Sequence, residues 1–370
     1  MGVINLAEKY SSTIDKAFKI GKQTSAGAKA KYDFIGEKTL KVYSIDNMPM
    51  NNYNRTGSSN RFGDPTDIGD KVQEMTVTKD RSFTGIIDKA NNTQQMKIKK
   101  AAEILRQQID EVVNPELDTY NLHVWGNRAV LNGAIFNAVL TKDNVYEYFL
   151  KAQERLSNKK VPKRGRICYA SAKGHNLLKR CNEYTKATEI AQKFLLEGQV
   201  GKVDDVPLFE VPEDYLPQGV AFIVIHPSCS VAPIQMTTYR ILDEVQGIDG
   251  NVVEGHIVYD CFVLDKKKDA IATVGEGTPG LHATSVEGAV SGGTLLGYDL
   301  PGVLASEVTV KYKLDSSAIT TPAVGSTVAS YTAYTTQEIA CSTNTHFMLV
   351  ALDSAGKVLF AEGGKLVKKA

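Results

Sequence analysis

The chain has 370 residues, 43 Lys plus Arg against 42 Asp plus Glu for a net charge of +1, and 42% hydrophobic and 23% charged residues. This balance excludes wholesale disorder and gives no global attraction for nucleic acid or anionic lipid, while the length requires two or three packing units. No apolar run approaches the roughly 18–20 residues needed to cross a bilayer, and MGVINLAEKYSS lacks a basic segment followed by an apolar one, so a protein made in the cytosol is expected.

Residues 3–20 place Leu6, Tyr10, Ile14 and Phe18 four apart, an apolar stripe along a helix that needs a partner. A polar stretch and a short strand at Thr39 to Ile45 follow, so 1–46 reads as an extended arm. Residues 47–70 are rich in Asn, Gly, Ser, Asp and Pro without periodicity, a long loop. In VQEMTVTKDRSFTGIID, Met75 and Val77 alternate with polar neighbours, Lys79-Asp80-Arg81 can turn, and Phe83 and Ile87 resume the alternation, which predicts a β-hairpin on a protruding loop.

From Asn92, with Gln95 as a capping partner, the period changes to 3.6: Ile98, Ala101, Leu105, Ile109 and Val112 share a face until Pro115 interrupts. A second helix is expected from Glu116 to about Leu140. A third, capped by Thr141, buries Val145, Phe149, Ala152 and Leu156. RICYASAKGHNLLKRC reads as strand then helix, and GKVDDVPLFEVP, GVAFIVIHPS and EGHIVYDCFVLDKKKDAIA as strands, closing a mixed main body near residue 272. Residues 273–305 are Gly-rich and charge-poor, as in a linker. EVTVKYKL, STVASYTAYTT and HFMLVALDSAGKVLFAEG, the last turning at Asp353 to Gly356, predict a small all-β, immunoglobulin-like domain over 306–370.

The search for chemistry returns structural readings. GEGTPG at 275–280 matches G-x-G-x-x-G but carries Pro279 and opens no helix that could face a pyrophosphate. No P-loop sequence occurs. His226 with Cys229, and Cys168, His175 and Cys181, lack the paired C-x-x-C spacing of a structural zinc site. Ser157 and Lys160 match S-x-x-K in a polar segment where both are routine, and Asn54 and Asn91 head glycosylation acceptors with no secretion signal to use them. The five cysteines, which include Cys261 and Cys341, are odd in number and scattered, predicting free buried thiols. Neither catalysis nor a cofactor nor a metal is expected.

KTLKVYSIDNMPMNNYNR, QEMTVTKDRSFTGIIDKANN, RQQIDEVVNPELDTYNL, GKVDDVPLFEVPEDYLP and EGHIVYDCFVLDKKKDAI, in this order, resemble major capsid proteins of tailed phages and prophages of Firmicutes, which have the Hong Kong 97-type shell fold. The resemblance spans about 1–272 and rests on the order and spacing of several segments. It implies an α+β subunit with an N-terminal arm (1–46), an E-loop (47–91), a peripheral domain (92–139 and 241–272) whose spine helix covers 92–114, and an axial domain (140–240). The linker (273–305) and the C-terminal β domain (306–370) lie outside the family pattern.

The resemblance further implies hexamers and pentamers that build the icosahedral head around double-stranded DNA, so the location is the virion, with no membrane. The arm and E-loop would lie across neighbouring subunits through Leu6, Tyr10, Ile14, Phe18, Met75, Val77, Phe83 and Ile87. The basic cluster Lys159, Lys160, Lys163, Arg164 and Arg166 reads first as a solvated loop and second as a weak DNA-facing patch. Many relatives begin with a long scaffolding segment, and here the arm begins at once, so a separate scaffolding protein and a portal are expected partners. The C-terminal domain is expected to decorate the outer surface and to be dispensable for assembly. Competing readings are a nanocompartment shell around an enzyme cargo, an α/β enzyme with a binding domain, which lacks a convergent polar site, and a tail-tube or sheath subunit, which fits the long helix after a hairpin less well.

Overall fold

The computed structural model describes residues 22–28, 39–56, 59–65, 67–94, 100–181, 199–243, 245–334, 336–341 and 343–369. The stripe Leu6, Tyr10, Ile14 and Phe18, and the partner Gln95 of the expected cap, lie outside them.

Strand β1 (Thr39–Ile45) pairs antiparallel with β2 (Asp70–Thr76), Thr39 opposite Thr76 and Ile45 opposite Asp70, so the projecting hairpin has residues 46–69 as its tip. This corrects the expected hairpin around Lys79–Arg81. Strand β3 (Lys79–Asp88) leaves β2 at once for another sheet, because Asp260 takes the Thr78 backbone N–H and hydroxyl, both at 2.9 Å, and the Tyr120 hydroxyl at 2.8 Å. That buried carboxylate pins the crossing point.

After α1 (Lys89–Gln94), helix α2 (Ala101–Gln108), a π-helical turn (Ile109–Val113) and α3 (Asn114–Leu131) form one helical run. Pro115 does not interrupt it. Pro115 has no N–H to donate, and the neighbouring Asn114 N–H reaches back five residues to Ile109 O. The extra residue in that turn rotates the apolar face, so Val113 and Leu117 pack on Ile257 and Tyr259 while Val112 is exposed. The helix stops at Leu131, short of the expected Leu140, where Gly133 adopts φ +59° and its N–H and that of Ala134 close on Val130 O and Ala129 O.

Next come β4 (Ile135–Asn137), α4 (Val145–Asn158), β5 (Ile167–Ser171), α5 (Ala172–Lys179), β6 (Gln199–Val203), β7 (Val206–Val211), β8 (Val220–Ile225), β9 (Ser230–Val231), β10 (Ile234–Asp243), β11 (Gly250–Tyr259), β12 (Phe262–Val263) and β13 (Ile271–Gly275). A six-stranded sheet runs β4-β13-β8-β5-β7-β6, and a three-stranded one β10-β11-β3. The six-stranded sheet and α3 to α5 enclose the main core, with Trp125, Tyr169, Phe149 and Phe222 fully buried. Val145, Phe149, Ala152 and Leu156 all face it, as the periodicity requires. β13 is buried along its whole length, so the main body extends to Gly275.

The C-terminal domain holds β14 (Thr284–Glu287), β15 (Gly293–Gly297), β16 (Thr309–Asp315), β17 (Thr332–Ala333), β18 (Ile339–Ala340), β19 (His346–Leu352) and β20 (Val358–Lys365). These form sheets β14-β15-β18 and β17-β16-β19-β20. Residues 284–297 are therefore strands of this domain, and the expected linker is folded. The β19–β20 hairpin turns at Asp353 to Gly356 as expected, whereas STVASYTAYTT supplies only β17 and one bridge from Thr327 to Lys357.

Candidate assembly surface

Alternation along the β1–β2 hairpin gives it two unlike faces. Leu40, Val42, Met75 and Val77 turn inward against Val231, Val258, Phe262 and Leu264. Tyr43 and Ile45, each 66% exposed, and Val72 turn outward. At the root, the Gln73 amide donates to Val263 O (2.9 Å) and accepts from the Asp265 N–H (3.0 Å), and Lys266 donates to Ile45 O. Across the tip, Asn54 N–H bonds Arg61 O (2.9 Å), and Tyr53 and Phe62 meet edge to face at 4.9 Å. Met48, Met50 (99% exposed), Phe62 and Ile68 all face solvent there. An exposed apolar surface of this kind, carried on a projection, is a candidate for a macromolecular contact.

The sequence reading chose the wrong face. Met75 (1% exposed) and Val77 spend their apolar surface inside the chain, as does Ile87. Phe83 is half-buried against the helix and Tyr239. Of the expected E-loop contacts, none stands free for a neighbour. Tyr43, Ile45 and Val72 were missed although the alternation of TLKVYSI was visible, because periodicity does not say which face meets the body.

Lys159, Lys160, Lys163 and Arg164 are exposed, but Arg166, 2% exposed, is not part of a solvent-facing patch. Its guanidinium donates inward to Pro162 O, Gln153 O and Oε1, Ser157 Oγ and Val161 O, organising the loop from beneath. The Ser157 hydroxyl, donating to Gln153 O, is absorbed in that network and makes no dyad with Lys160. The fold adds a second basic segment. Lys159 pairs with Asp269 at 3.4 Å, and Lys267 donates to Ser228 O at 3.2 Å. The exposed Lys266, Lys267 and Lys268 thus lie near the first cluster. Between them His226 is held below its ordinary range by burial, and Arg166 and Lys267 add to the effect.

The C-terminal domain is fused to helix α3. Val130 sits in the domain's core with Leu281, Leu296, Leu300 and Leu349. Asn127 donates to Pro301 O at 3.0 Å, Arg128 pairs with Glu307 at 2.7 Å, and Gly302, at φ +74°, lies so close to Val124 that a side chain there would clash. His123 and His282 stack at 4.6 Å with a 2.8 Å hydrogen bond between Nδ1 and Nε2, and burial, with His282 beside it, lowers His123 to about 4. These contacts tie the C-terminal domain to the main body through α3.

All five cysteines are buried and outside any disulfide, as the sequence predicts, and burial pushes the Cys229 and Cys261 thiols up to about 12, which suppresses thiolate chemistry. GEGTPG forms the end of β13 and a turn, with Gly277 at φ +79°. Among the described residues no group of three or more His, Cys, Asp or Glu is placed to hold a metal, and no helix is long and apolar enough to cross a membrane.

No match is found among curated proteins. The family model of the S-layer protein SbsC C-terminal domain matches residues 286–361. Among solved structures, one from Mycobacterium phage Che8 aligns with a TM-score of 0.58 at 14% identity, covering 72% of this chain and 96% of that one. The bacteriophage PhiM1 mature capsid aligns at 0.55 and 12% identity, covering 73% and 91%. The capsid of cyanophage P-SCSP1u aligns at 0.55 and 9%, covering 73% and 92%. The hairpin, long helix, mixed six-stranded sheet and antiparallel three-stranded sheet are thus the α+β, Hong Kong 97-type fold of phage capsid subunits, joined here to a C-terminal all-β domain.

Proposed function

We propose that this chain is a major capsid protein, a structural subunit that assembles as hexamers and pentamers into the icosahedral head enclosing double-stranded phage DNA in the virion. The observation that carries the reading is the outer face of the β1–β2 hairpin and its tip, where Tyr43, Ile45, Met50 and Phe62 present apolar surface beyond a root anchored at Gln73. A monomer gains nothing from that exposure, whereas a neighbour on a closed shell would bury it. The role is architectural, not catalytic.

The arm stripe Leu6, Tyr10, Ile14 and Phe18 is assigned to the same interfaces. Lys160, Lys163 and Arg164, together with Lys266 to Lys268, are proposed to meet packaged DNA through phosphates only, weakly and without sequence preference. A separate scaffolding protein and a portal complete the expected partners. Electron microscopy of the purified protein, alone and co-expressed with the neighbouring phage genes, tests the reading. Closed icosahedral shells are expected in the second case; tubes or small uniform oligomers in both would refute it.

A further inference from the structure

Residues 22–28 are separated from helix α3 by most of a domain in sequence, yet they are seated on it through a built polar socket. Asp118, 2% exposed, accepts the Gln23 N–H at 2.8 Å on one carboxylate oxygen. On the other it accepts the Thr24 N–H at 3.2 Å and the Thr24 hydroxyl at 2.5 Å. Asn121 donates to that hydroxyl at 2.9 Å, and the Tyr169 hydroxyl donates to Gln23 O at 3.2 Å. Gly27 lies flat on the Trp125 ring, where an added Cβ would stand 2.4 Å from the ring edge.

Two features set this apart from ordinary packing. First, among the described residues the hydrogen bonds that Asp118 accepts come from Gln23 and Thr24, so lifting the segment would break three charge-assisted bonds at one carboxylate. Second, the aromatic walls of the socket are held by the main core as well: Trp125 donates to Ser230 Oγ at 2.6 Å, and Tyr169 packs on Phe209. The socket is specific for a short stretch of backbone carrying Thr then Gly.

We infer that Asp118 and Asn121 form a latch that seats residues 23–27 as a strap on α3, and that the seated strap fixes the point from which the N-terminal residues set out toward a second copy of this chain. The latch itself follows from the contacts; its role in assembly rests on the shell reading. Thr24 and Asp118 are positioning residues. They need touch no neighbour, and they act by deciding where residues 1–21 begin.

Hydrogen exchange and particle assembly, measured side by side, test this. In the unassembled wild-type subunit the Gln23 and Thr24 amides are expected to be protected. In Asp118→Ala, and in the milder Thr24→Val, their exchange should accelerate at least tenfold while amides of β8 keep their protection, and the yield of closed particles should fall by a similar factor. Thr24→Ser, which keeps the hydroxyl, should restore both. If Asp118→Ala fails to fold, Thr24→Val and Thr24→Ser carry the test. Unchanged exchange at Gln23 and Thr24 would overturn the latch. A loosened strap with undiminished particle yield would overturn its role in assembly. If the wild-type chain forms no particles under any condition, the shell reading fails instead, and the exchange data still decide the latch.

Discussion

Two parts of this molecule stand off the main body, and they differ in where their apolar residues go. The C-terminal domain buries them on both faces of β19: Phe347, Leu349 and Ala351 pack toward β15 and helix α3, and Met348, Val350 and Leu352 pack under Ile319, Val328 and Tyr331. The hairpin buries only one face and leaves Tyr43, Ile45 and Val72 outside. Projection from the body is therefore a poor guide to interaction. What separates a structural wall from a contact surface is the apolar area left over once the chain has satisfied itself.

The sharpest way to break this comparison is to remove each part, reading subunit stability throughout. Deleting 306–370 strips β16 to β20 from Val130, Leu281, Leu296 and Leu300, and the rest of the subunit is expected to lose cooperative unfolding, followed by Trp125 fluorescence and circular dichroism. A folded, assembling remainder would erase the distinction. Replacing the tip, residues 47–69, by an Asn-Gly turn should instead leave a folded subunit that forms no shells.

Point substitutions sharpen the contrast. Leu349→Ala, in the domain core, should cost about 3 kcal/mol in urea unfolding. His123, at the joint, adds a pH signature: its folded value of about 4 lies below its ordinary one, so the unfolded chain binds the proton first as pH falls. Stability is then full above pH ~6.5 and declines toward pH ~4, by up to about 3 kcal/mol for such a shift. Comparing urea midpoints of wild type and His123→Gln at pH 7 and pH 4.5 checks it; the variant should lose less. Smallest of all, Ile45→Ser should change subunit stability by no more than ~0.5 kcal/mol while sharply reducing shell yield by light scattering. A large loss of subunit stability there would show that the outer face is part of the core after all.

What was legible in the sequence was local. The stripe of Val145, Phe149, Ala152 and Leu156 needs only one helix and one core, and the β19–β20 turn at Asp353 to Gly356 needs only its neighbours. Pairing choice is not local. Alternation marks β2 and β3 as strands, but Asp260, far along the chain, sends them to different sheets at Thr78. Pro115 misled because a π-helical turn can absorb a missing N–H, and 273–305 misled because Gly293 and Gly302 serve close packing, not freedom. In the candidate site, Arg166 read as one cation among five until the fold folded it under its own loop. The exposed hairpin face was readable as apolar but not as outward.

That outward face has a consequence for the subunit before it meets another. Tyr43, Ile45, Met50 and Phe62 remain wet in the isolated chain, so each newly made copy is sticky, and its self-association must rise steeply with concentration. On the proposed shell role a threshold follows: below it the chains stay dispersed, above it they condense, and the timing of assembly becomes a matter of how fast the chain is synthesised relative to how fast growing edges consume it.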